Sequence, residues 1–160
     1  MDDDEEPVEL DLGPGHIQVT LSGIRFTSKL IDGRFPDYQR VIPAEEGSFA
    51  VVDRETLRKA LVRASILSNE KYRGVRFGFE ADQLRIQSNN PEQEEAEEQV
   101  PASFNGEAME IGFNASYMLD ALAAIDENTV QLYVRDANSS ALILGETLRD
   151  ARYVVMPMRL

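Results

Sequence analysis

The stretch DRETLRKALVRASILSNEKYRGVR, Asp53 to Arg76, decides how the rest of the chain is read. Its first half has the features of a helix. Asp53 is a favourable N-cap, Glu55 suits the positive end of a helix dipole, and Leu57, Ala60, Leu61 and Ala64 recur at the 3.6-residue period. At about 100° per residue these four form one stripe that faces a core. Lys59 and Arg63 lie on the opposite side, and Ile66 falls with them, about 180° from Leu57, where a polar residue is expected. The segment also carries Arg54, Arg58, Lys71, Arg73 and Arg76, against only Asp53, Glu55 and Glu70. A basic helix with an apolar residue on its wet face suits two partners, one anionic and one apolar. Taken alone, it also describes a solvated face with one exposed Ile.

That basic segment runs against its background, because the 160 residues carry a net charge of −13. The negative charge is concentrated elsewhere. Asp2, Asp3, Asp4, Glu5, Glu6 and Glu9 form one run, and Glu92, Glu94, Glu95, Glu97 and Glu98 another; without them about −2 remains. An acidic body with one basic strip holds a polyanion at the strip and repels it elsewhere. The absence of cysteine excludes disulfides, thiolate metal sites and cysteine nucleophiles. No apolar run approaches the roughly 18 residues of a membrane span, and MDDDEE is the reverse of a signal peptide. The expectation is a soluble cytoplasmic protein that does not bind membranes, with residues 1–6 as a disordered acidic tail.

Outward from the central helix, the order of elements repeats. Upstream, Val8, Leu10 and Leu12 alternate, GPG turns at Gly13 to Gly15, Ile17, Val19 and Leu21 alternate back, and Ser22-Gly23 turns into Ile24, Phe26, Ser28 and Leu30. Three strands without a helix form an incomplete sheet, which suggests the end of a domain. DGRFPDYQRVIP, Asp32 to Pro43, reads as a linker. A strand at Phe49 to Val52 then enters the helix, and three strands follow, around Phe77, around Leu84 and Ile86, and on to about Phe104. Met109, Ile111 and Phe113 start the series again. Asn114 caps a helix with Met118, Leu119, Leu122 and Ile125 on one arc; strands follow at Val130 to Val134, at Leu142 and Leu144, and at Tyr153 to Met158. The class is therefore α+β, a β-α-β-β-β unit used twice, with two helices packed on antiparallel sheet.

No catalytic constellation emerges, and the expectation is a protein that is not an enzyme and needs no cofactor. His16 sits in a turn, and there is no phosphate loop or dinucleotide fingerprint. Glu94-Glu95 and Glu97-Glu98 on a strand point to alternate faces, which spoils convergence on a metal. A solvated edge or electrostatic docking strip suits them better. The C-terminal YVVMPMRL has two readings of equal weight: a closing core strand, or an adaptable Met-rich groove around Pro157, which cannot donate to a ladder.

Five strings, FTSKLIDGRFPDYQRVIP, SILSNEKYRGVRF, NNPEQEEAEE, EIGFNASYMLDAL and YVVMPMRL, together resemble the bacterial sliding clamp family, the beta subunit of DNA polymerase III. The resemblance implies a processivity factor. Members of this family have three domains of similar fold and pair head to tail into a ring around duplex DNA, without reading its sequence. Residues 7–43 resemble the end of the second domain and its linker, and residues 44–160 the whole third domain. By this resemblance Arg58, Lys59, Arg63, Lys71 and Arg73 would face DNA. Ile66, Leu67, Glu92, Glu94, Glu95, Glu97 and Glu98 would meet a neighbouring subunit. Pro36, Arg40, Val41, Asn114, Tyr117, Ser140, Val154, Met156, Pro157, Met158 and Arg159 would line a cleft for short peptides with a Gln and a terminal Leu-Phe-like pair. The partners so implied are the replicative polymerase, the clamp loader, translesion polymerases and mismatch-repair proteins. The 160 residues alone would be monomeric. The rival readings are a truncated interaction module that never encircles DNA and, less favoured, a carboxylate-dependent hydrolase.

Overall fold

Alternating residues after Pro7 become a three-stranded antiparallel sheet, β1 (Glu9–Leu12), β2 (His16–Leu21) and β3 (Ile24–Lys29), in that order. The computed structural model describes residues 7–35, 37–68, 73–147, 149 and 151–159, and the chain divides after Asp37 into two compact units, of which this sheet belongs to the first. Its second hairpin turns on Ser22 and Gly23, at φ 45° and 76°, the two positive values that a two-residue turn between twisted strands requires. Leu10 stands opposite Val19, and Val19 opposite Phe26, so the apolar residues share one face. Within this unit that face is open: Leu10, Leu12, Ile24 and Phe26 are exposed.

The second unit, residues 38–160, starts with a 3-10 turn at Tyr38–Arg40 and contains the core. Its elements are β4 (Ser48–Asp53), α1 (Arg54–Ile66), β5 (Gly74–Phe79), β6 (Gln83–Asn89) and β7 (Glu95–Phe104), then β8 (Met109–Asn114), α2 (Ala115–Ala123), β9 (Thr129–Val134), β10 (Ala141–Gly145) and β11 (Tyr153–Val155). The doubled β-α-β-β-β unit is thus as the sequence implies. Both caps also hold, with Asp53 accepting from the Thr56 N–H at 2.8 Å and Asn114 from the Ser116 N–H at 2.9 Å. Each such cap contributes about 1 kcal/mol. Leu57, Ala60, Leu61 and Ala64 are buried, as are Met118, Leu122 and Ile125, while Leu119 packs at the margin.

One antiparallel eight-stranded sheet, ordered β11-β10-β9-β4-β7-β6-β5-β8, covers both helices. The repeats exchange strands: β4 pairs with β9 of the second repeat, and β8 with β5 of the first. Within the first repeat β4 also pairs with β7, over Ala50 to Val52. The second repeat has a reduced equivalent, a single bond of 2.8 Å from the Met158 N–H to the Gly112 carbonyl. Here the sequence expectation needs correction. The last strand ends at Val155 instead of Met158, because Pro157 has no N–H to continue a ladder.

Candidate functional site

The core stripe of α1 leaves Glu55, Arg58, Lys59, Val62, Arg63 and Ile66 on the far side. Ile66 is 75% exposed, as its position in the sequence implies, and Val62, one turn earlier, is 41% exposed. Leu67 is half-buried at the helix end. The cations of this face are engaged within the chain. Arg58 forks onto Glu55, with Nε 2.9 Å and Nη2 2.7 Å from the two carboxylate oxygens, and Lys59 Nζ lies 3.7 Å from one of them. Arg63 forks onto Glu98 of β7 through two bonds of 2.7 Å.

These contacts set the acidity of the groups. The Arg58 fork holds the Glu55 carboxyl at about 2, down from 4.5, and the Arg63 fork holds Glu98 below the usual carboxylate range. Hydrogen bonds from the Thr56 hydroxyl and N–H lower Asp53 likewise. A depressed folded pKa means that the stabilisation is present above the ordinary value and lost as pH falls through the folded one. A carbon-detected NMR titration is therefore expected to give a Glu55 midpoint of about 2, with α1's first turn loosening only as pH falls from 4.5 towards it. A midpoint at 4.5 would show the fork to be absent in solution.

Other basic residues of the opening stretch have different tasks. Arg54 donates from Nε to the Glu127 carbonyl at 2.9 Å and from Nη1 to the Leu122 carbonyl at 3.2 Å, which ties the start of α1 to the end of α2. This is a C-cap by a cation, favourable to the dipole of α2. Arg76 lies on β5, 3.6 Å from Glu110. Arg73 is exposed in a left-handed conformation, φ 45°, and its carbonyl accepts from the Ala115 N–H. Lys71 lies outside the described residues.

The acidic run does not form one strip. Along β7 the side chains alternate, so Glu98 shares the helix-facing side with buried Val100, while Glu95 and Glu97 face the other way. Glu97 accepts from Gln87 Nε2 at 2.8 Å, and Glu94 exchanges bonds with Asn90 in the preceding turn, beside exposed Glu92. β7 pairs with β6 over residues 95–101 but with β4 only over 102–104. Among the described residues, its first part therefore has no strand on the β4 side, next to Arg63 and one helical turn from Ile66.

Residues of the expected cleft lie on several parts of the second unit. Arg40, Val41 and Ser140 line a cavity of about 540 Å³, together with Ile42, Tyr133 and Arg135. Asn114 and Tyr117 lie at the end of β8 and the start of α2, Val154 on β11, and Met156, Pro157, Met158 and Arg159 on the segment after it, which the Met158 N–H ties to Gly112 of β8. Ala141 pairs with Val155, the last pair of the ladder, and Ser140 and Met156 follow it outside the strands. Met156 is 71% exposed, and Tyr117 and Val41 are exposed as well. Asn114 has its carbonyl oxygen committed to capping α2, and Pro36 lies outside the described residues. Sequence reading missed Val62, although its i, i+4 spacing to Ile66 would have found it, and took Glu55 as a helix-dipole residue without its pairing to Arg58 and Lys59.

Among the described residues no group of acidic or histidine side chains is placed to hold a metal, and no helix is long and apolar enough to cross a membrane. A twice-used β-α-β-β-β unit, with two helices packed on an antiparallel sheet, defines a DNA-clamp domain. The family described as DNA polymerase III beta subunit, C-terminal domain, matches residues 39–159, and its central-domain counterpart matches residues 1–37. The chain belongs to the DNA polymerase III beta subunit family. It is 52% identical to the beta sliding clamp of Pseudomonas putida over 158 residues, which cover 99% of this chain and 43% of that protein. A crystal structure of the Pseudomonas aeruginosa sliding clamp with ligand superposes at a TM-score of 0.87 with 50% identity, over 99% of this chain and 43% of the other. Another from that organism, bound to griselimycin, gives 0.83 and 52%, over 96% and 42%. The chain thus spans under half the length of these relatives, and the resemblance carried by the five strings is borne out.

Proposed function

We propose that the chain acts as part of a ring-shaped processivity factor, which tethers the replicative polymerase to duplex DNA in the cytoplasm and catalyses nothing. The observation that carries this is the double use of α1. One helix face presents Lys59 towards an anionic partner, and Val62 and Ile66 towards an apolar one, beside an open stretch of β7. Phosphate contacts of this kind position a duplex without reading its bases. Residues 7–43 would belong to the second clamp domain and its linker, and residues 44–160 to the third. A processivity assay on primed circular DNA tests this reading, with longer products per binding event as the supporting result. A second reading is an interaction module that binds clamp partners or an intact clamp through the exposed Val62 and Ile66 without encircling DNA. Docking to a full-length clamp with no gain in processivity would select it.

The clamp loader, translesion polymerases and mismatch-repair proteins would share one entry point, the surface around Arg40, Val41, Ser140 and Met156. Exposed Met156 gains most by being covered. Met156→Ala is expected to weaken a Leu-Phe-ended peptide by about 1–2 kcal/mol, roughly tenfold, at about 25 cal/mol per Å² of apolar area. Calorimetry reads this directly, and an unchanged affinity would place the pocket elsewhere.

A further inference from the structure

We propose that Glu55 is an intramolecular stand-in for phosphate, which engages Arg58 and Lys59 and keeps the grip of α1 on DNA weak enough for sliding. This rests on the reading that α1 faces DNA. An Arg–carboxylate fork uses the same pair of parallel N–H···O bonds as an Arg–phosphate contact. In Arg58 those donors, Nε and Nη2, are already taken by the two oxygens of Glu55, and Lys59 sits 3.7 Å from one of the same oxygens. All three residues share the exposed face at i, i+3 and i+4, so a phosphate approaching either cation also meets the carboxylate. Glu55 stays ionised throughout the neutral range, as any exposed carboxylate does, and the fork lowers its proton affinity further. With Arg63 forked onto Glu98, the cations of this face oppose two carboxylates before any DNA arrives.

Weak, exchangeable contacts are what a sliding surface needs, since each step along the duplex breaks and remakes them. Exposed ion pairs are weak because water screens them, so Glu55 attenuates phosphate contact without preventing it. Lys59 and Arg73 remain the more available cations, the first held only by a long contact and the second exposed beside β5.

The test is Glu55→Gln, which keeps shape and helix tendency and removes the charge. Binding of the full chain to a short random-sequence duplex is read by fluorescence anisotropy across a salt series, with thermal unfolding as a check on folding. The wild-type chain is expected to bind weakly, independent of sequence and only at low salt. Glu55→Gln is expected to bind up to about fivefold tighter at low salt, and log K against log salt to steepen by about 1 to 2. The double variant Glu55→Gln with Arg58→Gln is expected to return most of the way to wild type. Unchanged binding by Glu55→Gln, while Lys59→Gln and Arg73→Gln weaken it, would overturn the role of Glu55 but keep α1 on DNA. A gain retained in full by the double variant would also overturn it, by assigning the effect to net charge. If Lys59→Gln and Arg73→Gln leave binding untouched, the DNA-facing reading fails, and this proposal fails with it.

Discussion

Ile66→Asp is expected to weaken docking of this chain onto a full-length clamp subunit by at least about 3 kcal/mol, or two decades in affinity. A single Ile in water would not justify such a figure. Here Ile66 stands at the end of α1 with Val62 one turn before it, both exposed, and together they make a continuous apolar ridge. Fully burying an Ile side chain supplies about 1.5–3 kcal/mol, and anchors of this kind sit at the centre of interfaces. Asp forfeits that and adds a carboxylate that must be desolvated without a partner, near an acidic strand. Ile66→Ala separates the two effects, since it loses apolar area only. The fold will tolerate either change, because the side chain touches water in the free chain; an acidic group in the last helical turn costs only about 0.3–1 kcal/mol. Leu67→Ala is a poorer probe, as the side chain is half-buried and part of any loss would be stability. Sedimentation with and without the full-length subunit reads the result, and the chain alone is expected to run as a monomer. Undiminished docking by Ile66→Asp, or a stable symmetric dimer of this chain that Ile66→Asp dissolves, would each refute part of this account.

What could be read from the sequence, and what could not, divides by the range of the interaction. The caps at Asp53 and Asn114 depend on residues two or three places away, and both were legible. So were the buried stripe of α1 and the alternation in β5, β8 and β9, because a period and a face are local properties. The tasks of the charges were not. Arg54 reads as one more cation of a basic strip, yet its partners are the carbonyls of Leu122 and Glu127, on the other side of the repeat. Arg63 finds Glu98 across 35 positions of sequence. The first is settled only when the two repeats fold against each other, the second only when α1 packs on β7 within its own repeat. The acidic run is an intermediate case: strand alternation already separates Glu98 from Glu95 and Glu97, but which parity faces α1 depends on the register of β7 with β6. Pro157 shows the reverse. Its missing N–H is a purely local property, and it ends β11 early enough to leave Met156 out of the ladder and exposed.

The same dependence on burial gives the other large effect, Phe77→Ala, expected to destabilise the second unit by about 3–5 kcal/mol. Phe77 is fully buried on β5, opposite Ile86 of β6 on one side and Ile111 of β8 on the other. The β5–β8 pairing is one of the two seams that join the repeats. The ring also meets Phe113 edge-on, with centroids 5.4 Å apart and planes at 86°, and Phe79 at 6.1 Å. Truncation therefore removes dispersion partners from both sides of the seam, and a rigid sheet under two helices cannot collapse to fill the space. Differential scanning calorimetry is expected to show a fall of roughly 10–20 °C in Tm. Phe26→Ala is the internal control, the same chemical change on β3, where the ring is 60% exposed. It is expected to alter stability by less than about 0.5 kcal/mol, as surface substitutions usually do. Equal effects of the two would mean that the face of β1–β3 is covered in solution. A negligible effect of Phe77→Ala would mean that the two repeats are not joined through β5 and β8.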